Sequence, residues 1–381
     1  MRPEPVDPVL LTRELIRKPS VTPADEGAMD VVQRVLEGLG FACRRMPFEG
    51  IENLYARRGT AGPNLCFAGH TDVVPPGPVE AWSRDPFAAE SVDGVIIGRG
   101  AVDMKGGIAA WIAAVSQVLA EGEPQGSLSL LITGDEEGHA THGTKLVVKQ
   151  LLEEGECVDA CVVGEPSSQQ RLGDTMKVGR RGSLNVWITV RGRQGHVAYP
   201  DRAANPIPVL VRLLDRLASR RLDEGYAQFQ PSNLELTTID VGNSATNVIP
   251  ATAMGRFNIR FNPSHTGAEL MAWIEEECAR SRAESGLVID LDMLHSGDAF
   301  LTEPGPFTTL AQDAFEAELG VRPEPSTTGG TSDARFIRAL CPVFELGLVG
   351  QTMHQVDEQV SEQDIRDLAR AYAALIRRFF A

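Results

Sequence analysis

Apolar residues recur along this chain in two different rhythms. In the first part, three short runs, Leu65–Ala68, Leu128–Thr133 and Cys161–Val163, are almost wholly hydrophobic, as strands covered on both faces must be, and they read as buried parallel strands. Val9–Ile16 and Ala28–Gly40 read as helices, the second carrying Met29, Val32, Val35 and Leu36 on one side. The segment after Lys105-Gly106-Gly107 spaces Ile108, Trp111, Ile112, Val115 and Leu119 close to a helical period. Strand and helix therefore alternate, which predicts a doubly wound α/β layer.

From residue 183 the rhythm changes. Ser183–Val190 alternates Leu184, Val186, Ile188 and Val190 with polar positions, and Gly255–Phe261 sets Phe257, Ile259 and Phe261 against Arg256, Asn258 and Arg260, the pattern of half-buried strands. With helices over Asn205–Ser219 and Ala268–Arg282 and strands over Leu234–Asp240 and Leu287–Met293, the order is β-α-β-β-α-β. That order predicts an inserted α+β ferredoxin-like domain over residues 181–294, within a layer built from residues 1–180 and 295–381. The tail returns to the first style, with a mostly apolar run at Cys341–Leu346 and a helix opened by Ser361-Glu362-Gln363-Asp364. Pro304–Phe307 and Pro323–Gly330 read as loops, the second facing the site.

At 381 residues, two domains are the default. A formal charge of -16 argues against nucleic acid or an anionic membrane surface as partner. No apolar run reaches the ~20 residues of a membrane span, and Met1–Glu14 lacks a signal-peptide core, so a cytoplasmic location is expected. The six cysteines are scattered without zinc-finger spacing, and structural roles are expected for them.

The chemistry-bearing residues collect in five stretches, several at the tips of apolar runs: Gly69-His70-Thr71-Asp72, Gly100-Ala101-Val102-Asp103, Asp135-Glu136-Glu137-Gly138, Gly164-Glu165-Pro166 and Met353-His354. In an open α/β sheet, ligands bind at the carboxyl ends of the strands. Two imidazoles and at least three carboxylates at one rim are donor stock for a pair of divalent cations. His70 and Asp72 are two apart, so in extended backbone the Asp can hold the ring nitrogen that does not bind metal. Asp103 could bridge two ions or simply cap the following helix. Glu136 and Glu137 diverge and can take different roles, or form a solvated turn. Glu165, just past a buried strand, must be paired, metal-bound or in a cleft. His354 alone carries no assignment.

Further motifs accompany these: GRGAVDMKG at Gly98–Gly106, GDEEG at Gly134–Gly138, GRRGS at Gly179–Ser183, GHVAYP at Gly195–Pro200, ATNVIP at Ala245–Pro250 and GGTSD at Gly329–Asp333. On these motifs the chain resembles the dizinc aminoacylase/carboxypeptidase superfamily over essentially its whole length. The resemblance implies a hydrolase that cleaves the amide of a small succinylated amino acid in amino-acid biosynthesis. It implies two Zn2+ per subunit, with Co2+ or Mn2+ able to substitute. His70 and Glu165 would hold one ion and Glu137 and His354 the other, with Asp103 bridging and followed by a cis peptide. Asp72 would orient His70, and Glu136 would be the general base. His196 would close over the substrate carbonyl, and Arg181, Ser183, Tyr199, Asn247, Arg260, Gly330 and Thr331 would line the substrate pocket. The inserted domain would act as lid and dimerisation element of a homodimer.

The sequence departs from the superfamily pattern at Gly350 and Gln355, where relatives commonly carry Asn and Lys. Another amide hydrolase of the superfamily, such as an acetylornithine deacetylase or a metallodipeptidase, stays open as an alternative. A non-catalytic descendant is opposed by the presence of Glu136 and every ligand. The glycines of Gly98–Gly107 do not fit a dinucleotide-binding turn.

Overall fold

The computed structural model describes residues 4–381, which form two compact units. One runs to Val178 and resumes at Thr302–Ser326 and Ser332–Ala381; the other comprises Gly179–Leu301 and Thr327–Thr331.

The first unit is built on an eight-stranded sheet. Its order is Ala42–Arg45, Asn53–Arg58, Ser127–Thr133, Asn64–His70, Ala160–Val163, Val343–Glu345, Thr175–Lys177 and Glu324–Ser326. The four strands from Ser127–Thr133 to Val343–Glu345 are mutually parallel, in the register Leu65↔Leu128, Cys66↔Cys161 and Val343↔Cys161. They are buried along their whole length, as the uninterrupted apolar runs require. The strands next to this block, Asn53–Arg58 and Thr175–Lys177, run antiparallel to it, so the sheet is mixed.

Connections from Asn64–His70 to Ser127–Thr133 and from there to Ala160–Val163 travel in opposite directions across the sheet. Right-handed crossovers then put their helices, Gly106–Glu121 and Thr144–Glu153, on opposite faces. Helix Gly106–Glu121 is buried nearly all round. Its Trp111 stacks on Phe67 of the sheet at 4.9 Å and meets Tyr372 of helix Glu362–Phe379 edge-on at 5.1 Å. The Tyr372 hydroxyl donates to the Leu346 carbonyl. Ser361 caps that last helix by accepting from the Gln363 and Asp364 amides, the role its position predicts. The Pro304–Phe307 segment, expected as a loop, instead opens helix Pro306–Leu319, because proline is tolerated in the first helical turn.

The second unit is the ferredoxin-like sandwich. Its sheet runs Asn233–Asp240, Thr252–Phe261, Gly182–Arg191, Val288–Gly297, all antiparallel, with helices Ile207–Ala218 and Gly267–Ser285 between strands. Leu184, Val186, Ile188, Phe257, Ile259 and Phe261 join Leu210, Leu214 and Ile274 in its core. The unit extends to Leu301 because Val288–Gly297 is longer than its apolar stretch and Phe300–Leu301 pairs with Gly179–Arg180. All six cysteines are free, and Cys66, Cys161, Cys278 and Cys341 are buried. Among the described residues no helix is long and apolar enough to cross a membrane.

Candidate metal centre

Three of the parallel strands release the chain at the same rim of the sheet. His70 is the last residue of its strand, Glu136 and Glu137 follow strand Ser127–Thr133, and Glu165 follows Ala160–Val163. Two further loops reach this rim: the turn Ala101–Lys105, which enters helix Gly106–Glu121, and the turn that carries His354. Close approach depends on glycine. A Cβ at Gly107 would lie 2.6 Å from the Gly164 carbonyl oxygen, and one at Gly347 would lie 2.5 Å from that of Glu165.

The side chains converge as two triads sharing one carboxylate. His70 Nε2 lies 3.2 Å from Asp103 Oδ1 and 3.7 Å from Glu165 Oε1. His354 Nε2 lies 3.2 Å from Asp103 Oδ2 and 2.8 Å from Glu137 Oε1. Donors tetrahedrally arranged about a zinc ion at ~2.0–2.1 Å are about 3.3 Å apart; the two 3.2 Å separations are near that edge length, and the 2.8 and 3.7 Å separations fall on either side of it. Each Asp103 oxygen serves a different triad, which is bridging geometry. Asp103 does not cap the helix, which begins at Gly106 with Lys105 in the cap position and no side-chain cap; the Asp103 peptide to Met104 is cis.

His70 Nδ1 lies 2.8 Å from the Asp72 backbone carbonyl. A carbonyl only accepts, so Nδ1 carries a proton, and Nε2 is the nitrogen that faces the triad. The Asp72 carboxylate is farther from that ring nitrogen, at 3.6 Å. It accepts the backbone amides of Glu136 at 3.2 Å and Glu137 at 3.0 Å. The sequence places Asp72 on the histidine; the structure places its main chain there and its side chain on the two glutamates.

The charge balance favours cations. Asp72, Asp103, Glu136, Glu137 and Glu165 surround two imidazoles. Burial drives the Glu165 and Glu136 carboxyls well above their ordinary range, and neighbouring carboxylates add to the rise. His354 is pushed up to about 10 by its hydrogen bonds to Asp103 and Glu137. Glu165 Oε1 is buried with no hydrogen-bond partner, a costly state for a lone carboxylate. An orphaned carboxylate oxygen, excess negative charge and a mixed imidazole–carboxylate set together fit divalent ions in both triads.

Other expected residues lie in the second unit. Ser183 faces Arg260 across the sheet and its hydroxyl accepts from Asn258 Nδ2 at 3.1 Å. Arg181 Nη1 donates to Asn233 Oδ1 at 2.9 Å, while its Nε is buried and unpartnered. His196 pairs with Val248, and its exposed ring lies 5.7 Å from that of Tyr199. Val197 N donates to Asn247 O at 3.0 Å. Gly330 and Thr331 lie on the segment Thr327–Thr331.

The unusual Gly350 has a local cause: a Cβ there would come within 2.7 Å of the Pro166 carbonyl oxygen. Gln355 Nε2 donates to Gln351 O at 2.8 Å, closing the turn around His354. His354 itself has φ 63, a left-handed conformation that costs a non-glycine residue on the order of 1–3 kcal/mol. Sequence reasoning missed Arg99 and Glu358, a buried pair at 2.7 Å beneath this turn.

The chain belongs to peptidase family M20/M25/M40, whose model matches residues 66–378. It is 65% identical over 376 residues to the succinyl-diaminopimelate desuccinylase of Phenylobacterium zucineum, covering 99% of each chain. An M20 family metallo-carboxypeptidase from Sulfolobus solfataricus shares the fold at TM-score 0.82 and 15% identity, covering 98% of this chain and 99% of that one. A dinuclear metal-binding peptidase of the M20 family from Bacillus subtilis does so at TM-score 0.69 and 16% identity, covering 98% and 97%.

Proposed function

We propose that this protein is a cytoplasmic, dinuclear zinc amidohydrolase that converts N-succinyl-LL-2,6-diaminopimelate and water to succinate and LL-2,6-diaminopimelate, a step of lysine and diaminopimelate biosynthesis. The observation that carries the reading is the pair of triads sharing Asp103 in a chain that matches a succinyl-diaminopimelate desuccinylase end to end at 65% identity.

His70, Asp103 and Glu165 would hold one Zn2+, and Asp103, Glu137 and His354 the other. When bound, the ions lower the pKa of water and polarise the scissile carbonyl. Glu136 belongs to neither triad, and its environment raises its affinity for a proton. It takes a proton as water adds to the amide carbon and returns it to the departing nitrogen as the C–N bond breaks. His196 would donate to the developing oxyanion. Arg181 and Arg260 would anchor substrate carboxylates through their planar forks, with Ser183, Tyr199, Asn247, Gly330 and Thr331 completing the pocket.

A homodimer is part of this reading. Strand Asn233–Asp240 is a free edge of the second unit's sheet and exposes Leu236 and Ile239 by 39% and 56%, the surface through which sheets pair. A substrate panel on zinc-reloaded protein tests the activity. Succinate release from N-succinyl-LL-2,6-diaminopimelate should exceed hydrolysis of N-acetylornithine and of dipeptides by about 100-fold or more in kcat/KM, because a site built to bind the extra carboxylate discriminates against substrates that lack it. Equal or reversed rates would transfer the protein to another amide substrate.

A further inference from the structure

Asp103 and His354 must be held a fixed distance apart if one carboxylate is to serve two ions, yet each sits on a turn rather than on a strand. Between those turns lies an ion pair that the reaction does not use. Arg99 is only 2% exposed and Glu358 is fully buried, with Arg99 Nη1 2.7 Å from Glu358 Oε2. The other glutamate oxygen, Oε1, accepts the backbone amides of Val102 at 2.9 Å and of Asp103 itself at 3.2 Å. The Glu358 carbonyl accepts the Gly98 amide at 2.8 Å. The guanidinium reaches the other way: Nη1 donates to Gln355 O at 3.2 Å, and Nη2 to His354 O at 3.4 Å and Pro75 O at 3.5 Å. Trp82 covers it, with its ring centroid 5.2 Å from Arg99 Cζ.

We propose that the Arg99–Glu358 pair is the positioning element of the metal centre, setting the Asp103 carboxylate and the His354 imidazole at the spacing that a shared ion requires. The proposal rests on the two-ion reading of the site. Neither residue touches an ion or substrate. Glu358 grips the main chain of the bridging ligand, and Arg99 grips the carbonyl of His354, whose left-handed backbone needs an outside restraint. The same guanidinium ties in Pro75, on the segment that follows Asp72, so one buried cation joins three ligand-bearing segments. A pair retained only for stability would be better replaced by packed apolar side chains. A pair whose hydrogen bonds all end on the main chain around two ligands is suited to precision instead.

The test is zinc titration of metal-free protein by calorimetry, alongside urea unfolding of the same metal-free samples. Wild type should take up two ions. Glu358→Gln keeps the shape but loses the charge, and should weaken the more weakly bound ion about 10–100-fold, the usual effect of removing a partner behind a ligand. Arg99→Lys keeps charge and folding and should give a smaller loss of the same ion. KM at saturating zinc should stay close to wild type. Unchanged zinc affinities in Arg99→Lys and Glu358→Gln, with only the urea midpoint lowered, would make the pair purely structural and overturn the proposal. Should Glu358→Gln fail to fold, Arg99→Lys decides alone. A wild-type chain that binds fewer than two ions would instead overturn the two-ion reading, and this proposal with it.

Discussion

Glu136 and Glu137 share a peptide bond and the same anchoring carboxylate, Asp72, yet their side chains have separate surroundings. Glu137 meets His354 at 2.8 Å, whereas burial, and then neighbouring carboxylates, raise the proton affinity of Glu136. Glu136→Gln should therefore lower kcat by about 10²–10⁴-fold while metal analysis still finds two ions per chain. A variant with undiminished turnover would remove Glu136 as the base. At this scale the residues of the two triads were legible because each is a metal-binding residue type, most of them beside glycine and just beyond an apolar run. Arg99 and Glu358 were not. They meet across 259 residues of sequence, and each alone resembles any surface charge. The Asp72 main-chain contact was hidden for a different reason, since residue identity says nothing about where a carbonyl points.

Among elements, the parallel strands announced themselves by unbroken hydrophobicity, and the inserted sandwich by its period-two alternation. The antiparallel pair Ala42–Arg45 and Asn53–Arg58 at one side of the sheet did not, because arginines interrupt both short segments where they are partly exposed. Helix Thr144–Glu153 was hidden as well, opening from a glycine-rich turn without a side-chain cap. Packing at the rim makes a sharper demand than periodicity can express. Gly107 stands at the start of helix Gly106–Glu121, where alanine would ordinarily favour the helix by up to about 1 kcal/mol. Here the new Cβ would meet the Gly164 carbonyl oxygen at 2.6 Å, and neither backbone can yield like a flexible side chain. The clash should win: Gly107→Ala is expected to cost about 1–3 kcal/mol, read as a lower urea midpoint. An unchanged or raised midpoint would show that helix and strand tip are free to separate.

Across the whole molecule, the site has too much negative charge to be at its most stable without cations. Chelation should lower the melting temperature. Restoring zinc should raise it in a concentration-dependent way, by the equivalent of about 2.7 kcal/mol for one site at 100 times its Kd. A melting temperature indifferent to chelator would mean that the triads bind nothing. The order of segments has its own implication for synthesis. Strand Val343–Glu345 lies in the sheet between Ala160–Val163 and Thr175–Lys177, although more than 160 residues of chain separate it from either. On the ribosome, the ferredoxin-like body can be complete while the larger sheet still has an open slot. A chain cut short before that strand emerges would lack both the sheet's closing member and one imidazole, so truncated products should be unable to load the pair of ions and should be left to proteolysis.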